Sequence, residues 1–199
     1  ANMEAAVNGV ISGIFAASGQ TCIAGSRLLL QRSIHDAFME KLLAVAASAR
    51  IGNPMERETN VGPVATRPQC AKVLDYIDVA RQEGATCVLG GGRYEGEGAT
   101  SDLFVSPTIF TGVNNAMRIA REEVFGPVLA VIPFEDEEQA YAIANDTAFG
   151  LGAGLWTSDM RRAIEGSARI EAGTVWVNTY RALSYTSPFG GYKRSGIGR

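Results

Sequence analysis

The sequence predicts an α/β fold in which a mostly parallel sheet is flanked by helices. Short apolar runs of strand length alternate along the chain with longer segments whose apolar residues recur at helical spacing. The 199 residues are 46% hydrophobic, which suffices for one domain with a proper core. Neither an internal repeat nor a linker divides the chain. We therefore expect a single domain over residues 1–199.

The predicted elements are bounded by residues that favour helix ends and turns. Ser33 is placed to cap the second helix, and Gly84 to end the third. The tail at residues 187–199 is rich in glycine, lysine and arginine, and it is predicted to be a loop. The predicted helices cover residues 3–18, 34–49, 68–83, 135–145 and 160–170, and the predicted strands cover 27–31, 86–89, 104–110, 128–134, 152–156 and 174–177.

Charge and hydropathy exclude several classes of protein. The net charge is -3 and the isoelectric point is near 5.3, and neither value favours nucleic acid or an anionic membrane as a partner, since both require a basic patch. No apolar run is long enough to span a bilayer, and the first residues lack the charged-then-apolar order of a secretory signal. A cytoplasmic protein that acts on a small molecule is the expectation.

The three cysteines, Cys22, Cys70 and Cys87, do not form a disulfide or zinc pattern. Their number is odd, no two are closely spaced, and the chain has one histidine, so we expect no metal site. Cys70 falls on a predicted helix and Cys87 in an apolar strand, where a cysteine behaves as a small buried hydrophobe. Cys22 differs because it follows a helix break at Ser18-Gly19-Gln20.

The surroundings of Cys22 suit a nucleophile. A thiol attacks as the thiolate, and the small residues at 24–26 leave room for a substrate to approach the sulfur. A backbone N–H at such a turn can hold a developing oxyanion, which stabilises a transition state by about 3 kcal/mol for one good donor. On composition alone, however, a lone cysteine is more often a small buried hydrophobe than a nucleophile.

Four blocks, in this order, resemble motifs of the aldehyde dehydrogenase superfamily. Gly-Gln-Thr-Cys at 19–22, with Ala-Gly-Ser-Arg at 24–27, resembles the active-site cysteine motif. Glu-Glu-Val-Phe-Gly-Pro at 122–127 resembles the cofactor-contact motif, and Gly-Thr-Val-Trp-Val-Asn at 173–178 resembles the strand near the substrate tunnel. The C-terminal loop of the family is resembled by Ser-Pro-Phe-Gly-Gly-Tyr-Lys at 187–193, with Ser-Gly at 195–196. The resemblance covers essentially the whole chain and implies the catalytic, cysteine-bearing domain.

The resemblance implies an oxidoreductase that oxidises an aldehyde to a carboxylate with NAD or NADP. Cys22 attacks the aldehyde carbonyl to give a thiohemiacetal, hydride passes to the cofactor, and the thioester is hydrolysed. The backbone N–H of Cys22 supplies part of the oxyanion hole. Glu123 accepts hydrogen bonds from the nicotinamide ribose hydroxyls, since a carboxylate can take both of a vicinal pair. Phe125 packs against the nicotinamide end.

The same resemblance assigns an apolar substrate wall to Ile23, Leu183 and Phe189. Arg181 is compatible with attraction of a distal carboxylate and equally with a surface charge. Asn178 is expected to be a structural residue whose side chain shapes the loop after the strand. The single histidine, His35, begins a predicted helix and is not expected to be a catalytic base.

Family members also carry parts that this sequence does not contain. They have a nucleotide-binding domain before the cysteine, with a water-activating glutamate and an oxyanion-hole asparagine. They continue beyond the C-terminal loop with a strand that joins a neighbouring subunit, in homodimers or homotetramers. Glu4 lies too close to the cysteine to be that glutamate. The sequence leaves open whether water or coenzyme A receives the acyl group.

Two other functions compete with this interpretation. A cysteine hydrolase acting on esters or amides needs a base beside Cys22, usually a histidine, and only His35 is available. A non-catalytic oligomerisation module built on the same fold is the second, and the retained cysteine argues against it. A p-nitrophenyl acetate assay tests the first, and light scattering tests self-association.

We expect the isolated 199-residue chain to show no NAD(P)-dependent oxidation of propanal. The reason is that the dinucleotide site and the acid that activates water belong, by resemblance, to the upstream domain. The measurement is NAD(P)H absorbance with propanal as substrate. Appreciable turnover by the chain alone would contradict the expectation.

Overall fold

The computed structural model describes residues 1–199 as six helices and eight strands. None of the helices is both long enough and apolar enough to cross a membrane. The helices are α1 (Met3–Phe15), α2 (His35–Ala47), α3 (Arg67–Gln82), α4 (Arg118–Arg121), α5 (Glu137–Asn145) and α6 (Met160–Arg169). The strands are β1 (Arg27–Gln31), β2 (Thr86–Leu89), β3 (Thr108–Thr111), β4 (Val128–Phe134), β5 (Phe149–Gly150), β6 (Gly152–Leu155), β7 (Thr174–Val177) and β8 (Tyr192–Lys193).

The central sheet has four strands in the order β1-β4-β3-β2. Strand β4 pairs in parallel with β1 and with β3, and β2 joins the edge in antiparallel orientation. Strands β6 and β7 form a separate parallel pair, and β5 pairs with β8 in antiparallel orientation. The mostly parallel sheet that the sequence predicts is therefore confirmed.

Helices cover both faces of the central sheet, as the α/β prediction requires. Side chains alternate along β4, so Val128, Ala130 and Ile132 enter one core cluster, and Leu129 and Val131 enter the other. The first cluster packs under α3 and α4, and the second under α1 and α2. A strand buried on both faces explains why residues 128–132 are all apolar.

Several element ends differ from the prediction. Helix α1 ends at Phe15 rather than at 18, because the next residues leave the right-handed helical region. The expectation that Ser33 caps α2 is wrong: a short 3-10 turn precedes the helix, and Ile34 occupies the N-cap without a side-chain bond. Gly84 does follow the end of α3, with a φ of 94° that favours glycine.

Other differences concern short elements. Strand β3 begins at Thr108 rather than at 104, and Val105 makes only an isolated bridge to Arg93. Helix α5 begins at Glu137, because the Asp136 side chain caps it. The single-turn helix α4 and the two-residue strand β8, in the tail predicted as loop, carry too little periodicity to be seen in sequence.

We expect Ile77→Ala to lower the free energy of unfolding by about 2–5 kcal/mol, because it leaves a cavity in the core beneath α3. Ile77 is 1% exposed, whereas Ile164 on α6 is 64% exposed. The matched variant Ile164→Ala should change the free energy by less than about 0.5 kcal/mol. Urea unfolding of both variants is the measurement, and equal shifts would contradict the assignment of the core.

Candidate functional site

An unusual backbone turn lies immediately before Cys22. Ala17 and Ser18 both have a φ of 53°, and Gly19 has a φ of 70°. A left-handed conformation costs a residue other than glycine about 1–3 kcal/mol. At Gly19 a side chain is also excluded by contact, since an added Cβ would overlap the carbonyl of Gly126. The cysteine motif and the 122–127 motif therefore touch through two glycines.

Two side chains fasten this turn to the segment before α3. The hydroxyl of Ser18 donates to the carbonyl oxygen of Gly62 at 2.8 Å. The side-chain oxygen of Gln20 accepts from the backbone N–H of Ala65 at 3.0 Å. Because Ser18 is 4% exposed, its hydrogen bond is shielded from water and helps to offset the cost of the left-handed backbone.

Cys22 occupies a tight turn with its side chain exposed. The turn is closed by the N–H of Ala24, which donates to the carbonyl oxygen of Thr21 at 2.9 Å. Cys22 and Ile23 are thus the two central residues of a β-turn. The N–H of Cys22 donates to no protein group, so it is available to an incoming oxygen.

The half-buried side chain of Tyr180 contacts this turn. Its hydroxyl donates to the carbonyl oxygen of Ile23 at 2.9 Å. Its ring meets that of Trp176 edge to face, with centroids 5.0 Å apart. Burial raises the pKa of Tyr180 to about 12, so the hydroxyl stays protonated. The ring is surrounded by the glycines Gly13, Gly25 and Gly154.

Side chains on one side of α3 bind the main chain of the 122–127 segment. The Gln69 side-chain amide donates to the carbonyl oxygens of Val124 and Phe125, each at 2.9 Å. The ammonium of Lys72 donates to the carbonyl oxygen of Glu123 at 2.8 Å. Phe125 has a φ of 57°, a strained value for an aromatic residue, and these bonds help to hold it there.

The two adjacent glutamates of this segment have different environments. Glu122 accepts from the guanidinium of Arg118 at 2.9 Å and from the hydroxyl of Tyr76 at 2.6 Å. Those hydrogen bonds lower the pKa of Glu122 to about 2. Glu123 is exposed, and its carboxylate makes no hydrogen bond or ion pair. The guanidinium of the neighbouring Arg121 donates to Asn115 instead.

The predicted wall residues differ in exposure. Ile23 is 9% exposed and packs towards Gly152, whereas Leu183 is 62% exposed and Phe189 is 39% exposed. Leu183 follows Tyr180 by three residues, so its Cα lies within about 11 Å of that of Tyr180. The assignment of all three to a substrate wall stays a prediction.

The structure also shows the surroundings of the other residues considered in the sequence. The Asn178 side chain accepts from the N–H of Thr157 and donates to its carbonyl, with Asn178 itself at a φ of 55°. Cys70 is buried on α3 and Cys87 is half-buried on β2. His35 begins α2, and its ring bonds to the carboxylate of Asp36. The guanidinium of Arg181 reaches the Ser12 carbonyl of α1 at 3.3 Å.

Sequence reasoning missed the residues that hold the two motifs in place. Gln69, Lys72 and Tyr76 share one side of α3 at a spacing of three and four, which is the only sequence signal they carry. Tyr180 follows the Asn178 motif, but nothing in the sequence indicates that its hydroxyl reaches Ile23.

The whole chain is similar in sequence to known proteins of one family. The sequence profile of the aldehyde dehydrogenase family matches residues 1–199. The betaine aldehyde dehydrogenase of Mesorhizobium japonicum is 45% identical over 199 residues, which are 100% of this chain and 41% of that protein. The corresponding protein of Brucella anthropi is 44% identical with the same coverage.

Solved structures show the same fold. A betaine aldehyde dehydrogenase from Staphylococcus aureus, in complex with NAD+, superimposes with a TM-score of 0.97 at 40% identity, over 100% of this chain and 40% of its own. The aldehyde dehydrogenase KauB from Pseudomonas aeruginosa gives 0.95 at 46% identity, again over 100% and 40%. The chain thus spans about two-fifths of the length of these relatives, and it belongs to the aldehyde dehydrogenase family.

Proposed function

We propose that the protein carrying this chain is an NAD(P)-dependent aldehyde dehydrogenase, and that residues 1–199 are its catalytic domain. The observation that carries the proposal is the contact between Gly19 and Gly126. It brings the exposed thiol of Cys22 to the same region as the free carboxylate of Glu123. Aldehyde oxidation through a thioester requires a nucleophile and a cofactor-binding group in one site, and the contact between the two motifs supports such a site.

Cys22 supplies the nucleophile in this proposal. Its thiolate sulfur attacks the aldehyde carbon, and the carbonyl electron pair moves onto oxygen. The unbonded N–H of Cys22 lies at the turn where that oxyanion forms, and a preorganised donor of this kind stabilises the transition state by about 3 kcal/mol. After hydride loss the product on Cys22 is a thioester, and hydrolysis releases a carboxylate and restores the thiol.

Glu123 and Phe125 fit the nicotinamide end of a dinucleotide. The carboxylate of Glu123 has both oxygens unengaged, while its backbone carbonyl is fixed by Lys72. It can therefore accept hydrogen bonds from two vicinal ribose hydroxyls without moving its main chain. The half-buried ring of Phe125 offers an apolar surface beside it. A nicotinamide held by Glu123 and Phe125 would supply the hydride acceptor.

The substrate is an aldehyde whose apolar part contacts the segment 183–189. Leu183 and Phe189 expose apolar surface in this segment, which begins soon after Tyr180 beneath the cysteine turn. Apolar lining with few polar groups is typical of small-molecule sites.

We expect Cys22→Ala to abolish aldehyde oxidation, with a loss of at least about 1,000-fold, because no other thiol lies on this turn. Cys87→Ala, on the half-buried strand β2, is the matched control and should retain activity. The measurement is NADH formation with the protein that carries this chain. Activity that survives Cys22→Ala would contradict the proposal.

We expect Glu123→Gln to slow hydride transfer about 10- to 100-fold, because a hydrogen bond to a charged group contributes about 1.5–3 kcal/mol. Alkylation of Cys22 by iodoacetamide should be unchanged, since it does not involve the cofactor. The control is Glu97→Gln, an exposed glutamate in the loop after β2. Equal effects of the two substitutions on hydride transfer would argue against a cofactor contact at Glu123.

A further inference from the structure

Tyr180 connects to the cysteine turn through a continuous chain of hydrogen bonds. Its hydroxyl donates to the Ile23 carbonyl at 2.9 Å. The peptide unit that carries this carbonyl also carries the N–H of Ala24, which donates to the carbonyl of Thr21 at 2.9 Å. The Thr21 carbonyl, in turn, shares a peptide unit with the N–H of Cys22.

We propose that Tyr180 is a positioning residue that orients the Cys22 N–H towards the oxyanion. Peptide units are planar, so fixing the carbonyl of one unit also fixes its N–H. The Tyr180 hydroxyl fixes the Ile23–Ala24 unit, and that unit fixes the Thr21–Cys22 unit through the turn bond. This role rests on one part of the proposed function, the attack of Cys22 on a carbonyl carbon, because it matters only where Cys22 forms a tetrahedral adduct.

The same series of hydrogen bonds polarises the Cys22 N–H. Each hydrogen bond that a carbonyl accepts draws electron density from the N–H of its own peptide unit, and linked bonds strengthen one another by about 10–30% each. Two such bonds precede the Cys22 N–H, one at the Ile23 carbonyl and one at the Thr21 carbonyl. The N–H is therefore both aimed and made a stronger donor.

Tyr180 is itself held rigidly, as a positioning group must be. An added Cβ at Gly154 would lie 2.7 Å from its ring, and one at Gly13 would lie 3.0 Å from it, so the ring fills the space left by these glycines. Trp176 packs edge to face against it and donates from its indole N–H to the Ala182 carbonyl at 2.7 Å. The following loop is thereby fixed as well.

The Tyr180 hydroxyl acts only as a hydrogen-bond donor. Burial raises the pKa of Tyr180 to about 12, so the group stays neutral from pH 6 to pH 9. Raising the pH to 9 therefore leaves this hydrogen bond intact, and the contribution of Tyr180 to acylation is the same at pH 6 and pH 9.

The test separates reactions at Cys22 that form an oxyanion from those that do not. In Tyr180→Phe, we expect acylation of Cys22 by p-nitrophenyl acetate to slow about 10-fold, because it passes through a tetrahedral oxyanion. Alkylation by iodoacetamide is a direct displacement, and we expect its rate to stay within about 2-fold. The ratio of wild-type to variant acylation rates should be constant from pH 6 to pH 9.

The matched control is Tyr94→Phe. The Tyr94 hydroxyl also donates to a backbone carbonyl, that of Glu97 at 3.0 Å, but in a surface loop. This variant should leave both rates unchanged. Hydrogen exchange of the peptide containing residues 21–25 provides a second measurement, and its protection should fall in Tyr180→Phe and not in Tyr94→Phe.

Three outcomes would overturn the proposal. Unchanged acylation in Tyr180→Phe would show that the hydroxyl does not position the donor. An equal loss of acylation and alkylation would show a general disturbance of the turn. A ratio that varies with pH would indicate proton transfer by Tyr180. A wild-type protein whose Cys22 is acylated but which oxidises no aldehyde contradicts the proposed function and leaves the role of Tyr180 standing.

Discussion

The close approach of Gly19 to Gly126 is the constraint on which the site depends. No side chain fits between the two residues, and the left-handed run from Ala17 to Gly19 is what turns the chain towards this contact. The strain of that run is offset by buried hydrogen bonds, such as the one from Ser18 to Gly62. Without the contact, the thiol and the 122–127 segment would be two unrelated surface features.

Two parts of the fold hold the segments of the candidate site in place. Strand β4 begins immediately after Pro127 and is buried on both faces, so the 122–127 segment is attached to the most immobile part of the sheet. On the other side, Tyr180 extends from the loop after β7 to the cysteine turn. The cysteine turn is therefore linked to the central sheet through Gly126 and to the loop after the smaller parallel pair through Tyr180.

Local patterns predicted the elements well, and contacts between distant residues poorly. The strands at 27–31, 86–89, 128–134 and 174–177 have their predicted bounds, because apolar runs and flanking turn residues are local properties. The expected cap at Ser33 was wrong because a 3-10 turn displaced the helix start. The motifs singled out Cys22 and Glu123 as candidate site residues, but Gln69 and Tyr180 look like ordinary polar and aromatic residues until the fold places them.

The hydrogen bonds from α3 to the 122–127 segment have a consequence for how such a site evolves. Gln69 and Lys72 bind carbonyl oxygens of this segment, and every amino acid supplies a carbonyl. At residues 123–125 these hydrogen bonds consequently hold the main chain whichever side chains it bears, whereas Gly126 must remain a glycine because an added Cβ would meet Val73. Evolution, or an engineer, is free to exchange the residues that face a ligand while the scaffold keeps its shape, so that new specificities arise without a new fold.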